Sequence, residues 1–236
     1  MPEALYKSLV FLAGDLHNHP RFPWFAFGER ERLISIEEAL EAVSIAEPGD
    51  IWLHRNRGDF SNLGIPGCMK HAWLSVDSSP ASMIVEAISE GILTRHALYP
   101  LMTDYAVLLT PNVSWEARGI ACARADLLVG QPYDWRFKFD LENEEQIFTD
   151  KTVALENMRN GHFGFSCSET VALCYVGCRR QLGLYRVRSM GRQVILPDNF
   201  LTTHFTVKWA SRSLSGDVAA DMGLHEEGCD MIRTAA

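Results

Sequence analysis

No run of this chain approaches the roughly 20 consecutive apolar residues that a membrane-crossing helix requires. The apolar stretch near the start, Leu9 to Ala13, is short for a secretory signal, which takes about 7–15 residues. Both absences point to a soluble chain, cytoplasmic where it is made, without stable membrane insertion. A basic block is missing too: Lys and Arg number 22 against 30 Asp and Glu, for a net charge of −8. That balance argues against a general nucleic-acid surface. The six cysteines, Cys68, Cys122, Cys167, Cys174, Cys178 and Cys229, contain no C-x-x-C, which excludes zinc-ribbon and thioredoxin-type spacing. They are too few for a disulfide framework in 236 residues, so a reducing compartment is expected. Internal repeats, low-complexity tracts and the regular βαβ alternation of a doubly wound sheet are also absent.

What is present is a composition 47% hydrophobic, enough for a substantial core. The opening to about Arg32 reads as irregular, with Pro20 and Pro23. Ser35 followed by Glu38 is an N-terminal helix signature, and Pro48-Gly49-Asp50 stops that helix. Ile51-Trp52-Leu53 reads as a buried strand. Runs at 71–76 and 82–87, joined by the turn signal Asp77-Ser78-Ser79-Pro80, read as a hairpin. Another strand is expected at 105–109 and a helix over 114–129, with Gly130 as its stop. Residues 133–140 alternate aromatic and charged side chains, the pattern of an amphipathic strand. A helix is expected from Ser166 to about Arg180, with strands at 184–187 and 205–209. The tail after Ala210 reads as loosely held. Mixed strands and helices of this kind define an α+β fold.

One cysteine stands apart. Cys167 lies in Ser-Cys-Ser-Glu, whereas Cys174 and Cys178 lie among apolar residues. With Ser166 as N-cap, Glu169 completes a capping box and Cys167 becomes the first helical residue. A thiol there feels the positive end of the helix dipole and nearby unpaired N–H groups. Both favour the thiolate, the nucleophilic form, and the same N–H groups suit an oxyanion. The plainer reading of Cys167 alone is a buried cysteine that happens to begin a helix.

A nucleophile needs a base. His17 and His19, in LHNHP, resemble part of a metal site but have no evident third ligand, and no metal is expected. His162 is a reserve base by closeness in sequence. His71 is the leading one. With Asp77 to Pro80 as a four-residue loop, Val76 pairs with Ala81 and His71 pairs with Glu86, on one face of the sheet. A carboxylate there fixes the tautomer and supports an imidazolium. The alternatives are a surface ion pair, or a one-residue slip that puts the two on opposite faces.

Taken in order, the segments PGDIWLHR, IPGCMKHAWLSV, MIVEAISEGI, VGQPYDWRFKF and FSCSETVALCY resemble the permuted papain-like cysteine peptidases of YiiX/YebB type, in the wider NlpC-like group. The resemblance spans roughly Pro48 to Tyr175, with weaker similarity toward Pro197-Asp198. It implies a circularly permuted papain-like fold, an antiparallel sheet packed against helices. It also implies Cys167 as nucleophile, His71 as base and Glu86 as orienting acid. Tyr133 and Ser168 are the implied substrate-side residues, though Tyr133 also reads as a core aromatic. Thr170 departs from the aliphatic residue the pattern has there.

The implied layout is an N-terminal extension over 1–47 with a helix on the core, a catalytic domain over 48–210 and a tail over 211–236. The expected activity is hydrolysis of an amide or isopeptide bond in a small peptide, such as a cell-wall fragment, through a thioester and without a cofactor. Two rivals remain. Lipid acyl transfer or thioester hydrolysis fits the same scaffold, but such enzymes carry Asn-Cys-Glu-His at the nucleophile, and this chain has Ser-Cys-Ser-Glu. A catalytically inactive binding module is the other.

Overall fold

Ser35 begins the first helix as its sequence implies. Its hydroxyl accepts the amide of Glu38 at 3.2 Å, and helix α1 (Ile36–Ile45) follows. The structure is a computed structural model and describes residues 16–18, 25–27, 32–56, 65–133, 166–189 and 192–214. The expected strand over 134–140 and most of the tail lie outside those residues, as does His162. Within the opening stretch, read as irregular, β1 (Leu16–Asn18) and β2 (Phe25–Phe27) form a short antiparallel ladder. The strand propensity of Phe25 and Phe27 was outweighed in the sequence by the neighbouring prolines.

The centre is one antiparallel sheet of six strands. They are β3 (Ile51–Arg55), β4 (His71–Ser75), β5 (Met83–Ile88), β6 (Gly91–His96), β7 (Tyr105–Pro111) and β10 (Phe205–Ala210). Their spatial order is β10-β7-β3-β4-β5-β6. A small hairpin of β8 (Val187–Ser189) and β9 (Arg192–Val194) stands apart. Alternation along the strands sends successive side chains to opposite faces. One face carries Leu53, Ala72, Leu74, Val85 and Val107 against helices α2 (Trp115–Leu128) and α3 (Cys167–Cys174). The other carries Trp52, Trp73, Ile84 and Leu108 against Ala39, Ala42 and Val43 of α1. Burial on both faces explains why Ile51-Trp52-Leu53 is apolar throughout rather than alternating.

The turn between β4 and β5 is longer than expected. Residues 77–82 form it, with Ser82 in the left-handed region at φ 43°. The register therefore pairs Trp73 with Glu86 and Ser75 with Ile84, not His71 with Glu86. The displacement is two residues, so the face is preserved: His71 and Glu86 become diagonal neighbours on one side of the sheet. Strand β6 was not anticipated at all. It follows β5 through the two-residue turn Ser89-Glu90, and Gly91 supplies the positive φ of 120° at its start.

Helix α3 ends at Cys174, and a 3-10 turn over Val176–Cys178 replaces the rest of the expected helix. Past Ala210 the chain is tied down for four residues. Ser211 is fully buried and Leu214 nearly so, and the Arg212 amide donates to Glu38 at 2.6 Å. The loosely held tail therefore cannot begin before residue 215.

Two anchors fix the strands that bear the site. Asp50 is fully buried and meets Arg118 at 2.6 Å, while Tyr175 donates to the Gly49 carbonyl at 2.5 Å. Gly49 has φ 86°, and a Cβ there would sit 2.6 Å from that of Arg118, so glycine is required on both counts. Asp198, in the 3-10 turn Pro197–Phe200, accepts the amides of Cys68 and Met69 at 2.5 and 2.7 Å. It thereby latches the loop that leads into His71. Asp198→Ala removes two charge-assisted bonds and is expected to cost about 2–4 kcal/mol. Urea denaturation checks this, and an unchanged midpoint would contradict the latch.

Candidate active site

The site lies where the ladder between β4 and β5 ends. Val76 donates to the Met83 carbonyl, so even-numbered residues of β4 face β5. Pairing stops at Trp73 opposite Glu86, whereas β5 stays with β6 as far as Ile88 opposite Gly91. The Ala72 N–H, the next donor along β4, helps to lower the Cys167 thiol. Helix α3 packs on β4 and β5 from the α2 side. His71 shares a face with Trp73, on the α1 side. The thiol and the imidazole thus come from opposite layers and meet where that ladder ends.

The helix start is built as the sequence implied. The Glu169 carboxylate accepts from the Ser166 N–H at 3.4 Å and from the Ser166 hydroxyl at 2.9 Å. Thr170, the departure from the family pattern, donates to the Ser166 carbonyl at 2.8 Å and so satisfies its own hydroxyl. Cys167 is 3% exposed. Its sulfur lies 3.9 Å from the Ser168 hydroxyl, which places Ser168 beside the thiol.

His71 Nε2 lies 3.1 Å from Glu86 Oε2, and the ring is near enough to Cys167 for imidazole and thiol to shift each other's titration. With Nε2 held by the carboxylate, Nδ1 is the nitrogen left for sulfur. The His54 ring lies 5.0 Å away and the Trp73 ring 5.7 Å, centroid to centroid, and both restrict the imidazole. Glu86 is 3% exposed. Its other oxygen, Oε1, meets Arg95 Nε at 3.4 Å.

Electrostatics separate Cys167 from Cys122 and Cys174. Burial would depress the His71 pKa, but the Cys167 sulfur and the Glu86 carboxylate outweigh it and raise it. Burial would likewise raise Cys167, but His71, the Ala72 amide and Ser168 outweigh it and lower it. Each group favours the charged form of the other, the condition for a thiolate–imidazolium pair. Cys122, by contrast, is pushed up by burial to about 11, and burial also raises Cys174. His54 is pushed well below the ordinary value by burial and then by His71; it stays neutral beside the charged ring, with Nδ1 3.4 Å from the Pro100 carbonyl.

Cys167, His71, Glu86 and Ser168 therefore converge. Tyr133 is half-buried and packs on the main core, which is the core-aromatic role. Among the described residues, Cys122, Cys167, Cys174 and Cys178 are free thiols, but Cys68 is disulfide-bonded. One bonded cysteine is not a disulfide framework, but it weakens the cysteine argument for a reducing compartment. No helix among the described residues is long and apolar enough to cross a membrane.

The architecture is α+β, a six-stranded antiparallel sheet with helices on both faces and a Cys-His-Glu set at the end of the β4–β5 ladder. Its fold is shared with metalloprotein YiiX of Escherichia coli O157:H7: a TM-score of 0.50 at 16% sequence identity, covering 70% of this chain and 97% of that one. No family model matches the sequence, and no curated protein matches it.

Proposed function

We propose that this chain is a cysteine hydrolase on a circularly permuted papain-like scaffold, cleaving an amide or isopeptide bond in a small peptide through a thioester. The observation that supports it is the His71 ring held at 3.1 Å by Glu86 on one side and near enough to the Cys167 thiol on the other for each to favour the other's charged form. The Cys167 thiolate attacks the carbonyl carbon, and a new C–S bond forms as the carbonyl π electrons move to oxygen. The N–H groups at the start of α3 receive that oxyanion. The His71 imidazolium gives its proton to the nitrogen as the C–N bond breaks, and the amine leaves. Neutral His71 then takes a proton from water. The hydroxide adds to the thioester carbon, and the C–S bond breaks. The carboxylic acid leaves, with the thiolate–imidazolium pair restored.

The YiiX neighbour is called a metalloprotein. Among the described residues no three His, Cys, Asp or Glu side chains gather in a way that would hold a metal, and His71 Nε2 is taken by Glu86. No step is drawn through a metal.

The experiment is a parallel screen of peptide amides, including cell-wall-derived peptides, and acyl lipids with wild type and Cys167→Ala. Peptide turnover lost in the variant supports the amidase reading. Turnover of acyl lipids alone would replace it with acyl transfer or thioester hydrolysis, and no turnover of either class would favour a binding module. Glu86→Gln is expected to lower kcat/KM roughly 10- to 100-fold, the loss of one charge-assisted hydrogen bond of about 1.5–3 kcal/mol. An unchanged value would remove Glu86 from the mechanism.

A further inference from the structure

The carboxylate of Glu86 is gripped from two sides, and only one grip belongs to the triad. Glu86 lies opposite Trp73 on one flank and opposite Leu93 on the other. His71 stands two residues before Trp73, and Arg95 two residues after Leu93. All three therefore share a face and form a diagonal line across β4, β5 and β6. The two carboxylate oxygens are divided accordingly: Oε2 to His71 Nε2 at 3.1 Å and Oε1 to Arg95 Nε at 3.4 Å. Arg95 is itself steadied, its guanidinium lying 4.8 Å from the centre of the Tyr99 ring.

We propose that Arg95 is a positioning residue that fixes the Glu86 carboxylate so that Oε2 stays aimed at His71. The proposal rests on the cysteine-hydrolase reading of the site. A carboxylate held by one neighbour alone can rotate about its terminal torsion, which is broad and roughly two-fold. A second contact on the opposite oxygen removes that freedom. The charged and titratable groups around Glu86 are His71 from β4 and Arg95 from β6, with His54 of β3 and Cys167 of α3 beyond the His71 ring. Arg95 is about a quarter exposed, so its role is to restrict geometry more than to supply charge.

The test needs no substrate. The rate of Cys167 alkylation by iodoacetamide, resolved by peptide mass spectrometry, is measured against pH for wild type, Arg95→Met, Arg95→Lys, Glu86→Gln and the double variant Arg95→Met/Glu86→Gln. Arg95→Met is expected to slow alkylation on the acidic side roughly 3- to 10-fold and move the limb toward higher pH, with Arg95→Lys partly restoring it. In the Glu86→Gln background the same change should have almost no effect, because Arg95 acts through that carboxylate. An equal loss in both backgrounds would assign Arg95 a merely structural role and overturn the proposal. So would a wild-type profile in Arg95→Met. If wild-type Cys167 itself reacts only as an ordinary thiol, the hydrolase reading fails first and this proposal falls with it. An activated wild type with an indifferent Arg95→Met removes the Arg95 role alone.

Discussion

Cys167→Ala is expected to abolish turnover, a fall of roughly 10³-fold or more, while leaving the fold intact. Neither Cys122 nor Cys174 can substitute. Burial pushes Cys122 up to about 11 and also raises Cys174, so neither is a thiolate near neutral pH. Cys167 is small and alanine fills most of its volume, so circular dichroism and the unfolding midpoint should stay close to wild type. Covalent labelling by a substrate-like electrophile should vanish together with activity. Residual turnover within tenfold of wild type would mean that another group does the chemistry.

His71→Ala should have the second largest effect, and its sign follows from the two opposing influences on the thiol. In the wild type the imidazolium outweighs burial and Cys167 is lowered. Without the ring, burial is left to raise it, against only the Ala72 amide and Ser168. The alkylation limb of Cys167 should then move from the acidic side to at or above the ordinary thiol pKa of about 8.5. Turnover should fall about 10²–10⁴-fold through loss of the proton carrier. A limb that does not move, with normal folding, would show that His71 and Cys167 are not coupled.

Much of this site could be read from the chain because its signals are local. Ser166 and Glu169 announce a helix start within four residues, and a thiol at that start is exposed to the dipole whatever surrounds it. The His71–Glu86 pairing was legible as a face but not as a register. Face depends on the parity of the turn, while register depends on its length, and the turn over 77–82 lengthened it by two residues. Had the change been one residue, the two groups would have been on opposite sides of the sheet.

What was not legible depended on partners distant in sequence. Gly91–His96 has Thr94, Arg95 and His96 at its end, a polar run that weakens any strand signal. It becomes a strand because β5 offers it an edge, and Arg95 was overlooked with it. His54 has no distinctive neighbour along the chain, and only the β3–β4 register sets it opposite His71.

The most direct measurement is the ultraviolet thiolate absorbance of wild type minus that of Cys167→Ala, titrated across pH. The account predicts a thiolate already formed well on the acidic side of about 8.5, the ordinary value, because sulfur and imidazole share one proton as an ion pair. A difference signal that emerges only at or above that value would place Cys167 among the inert buried thiols and contradict the account.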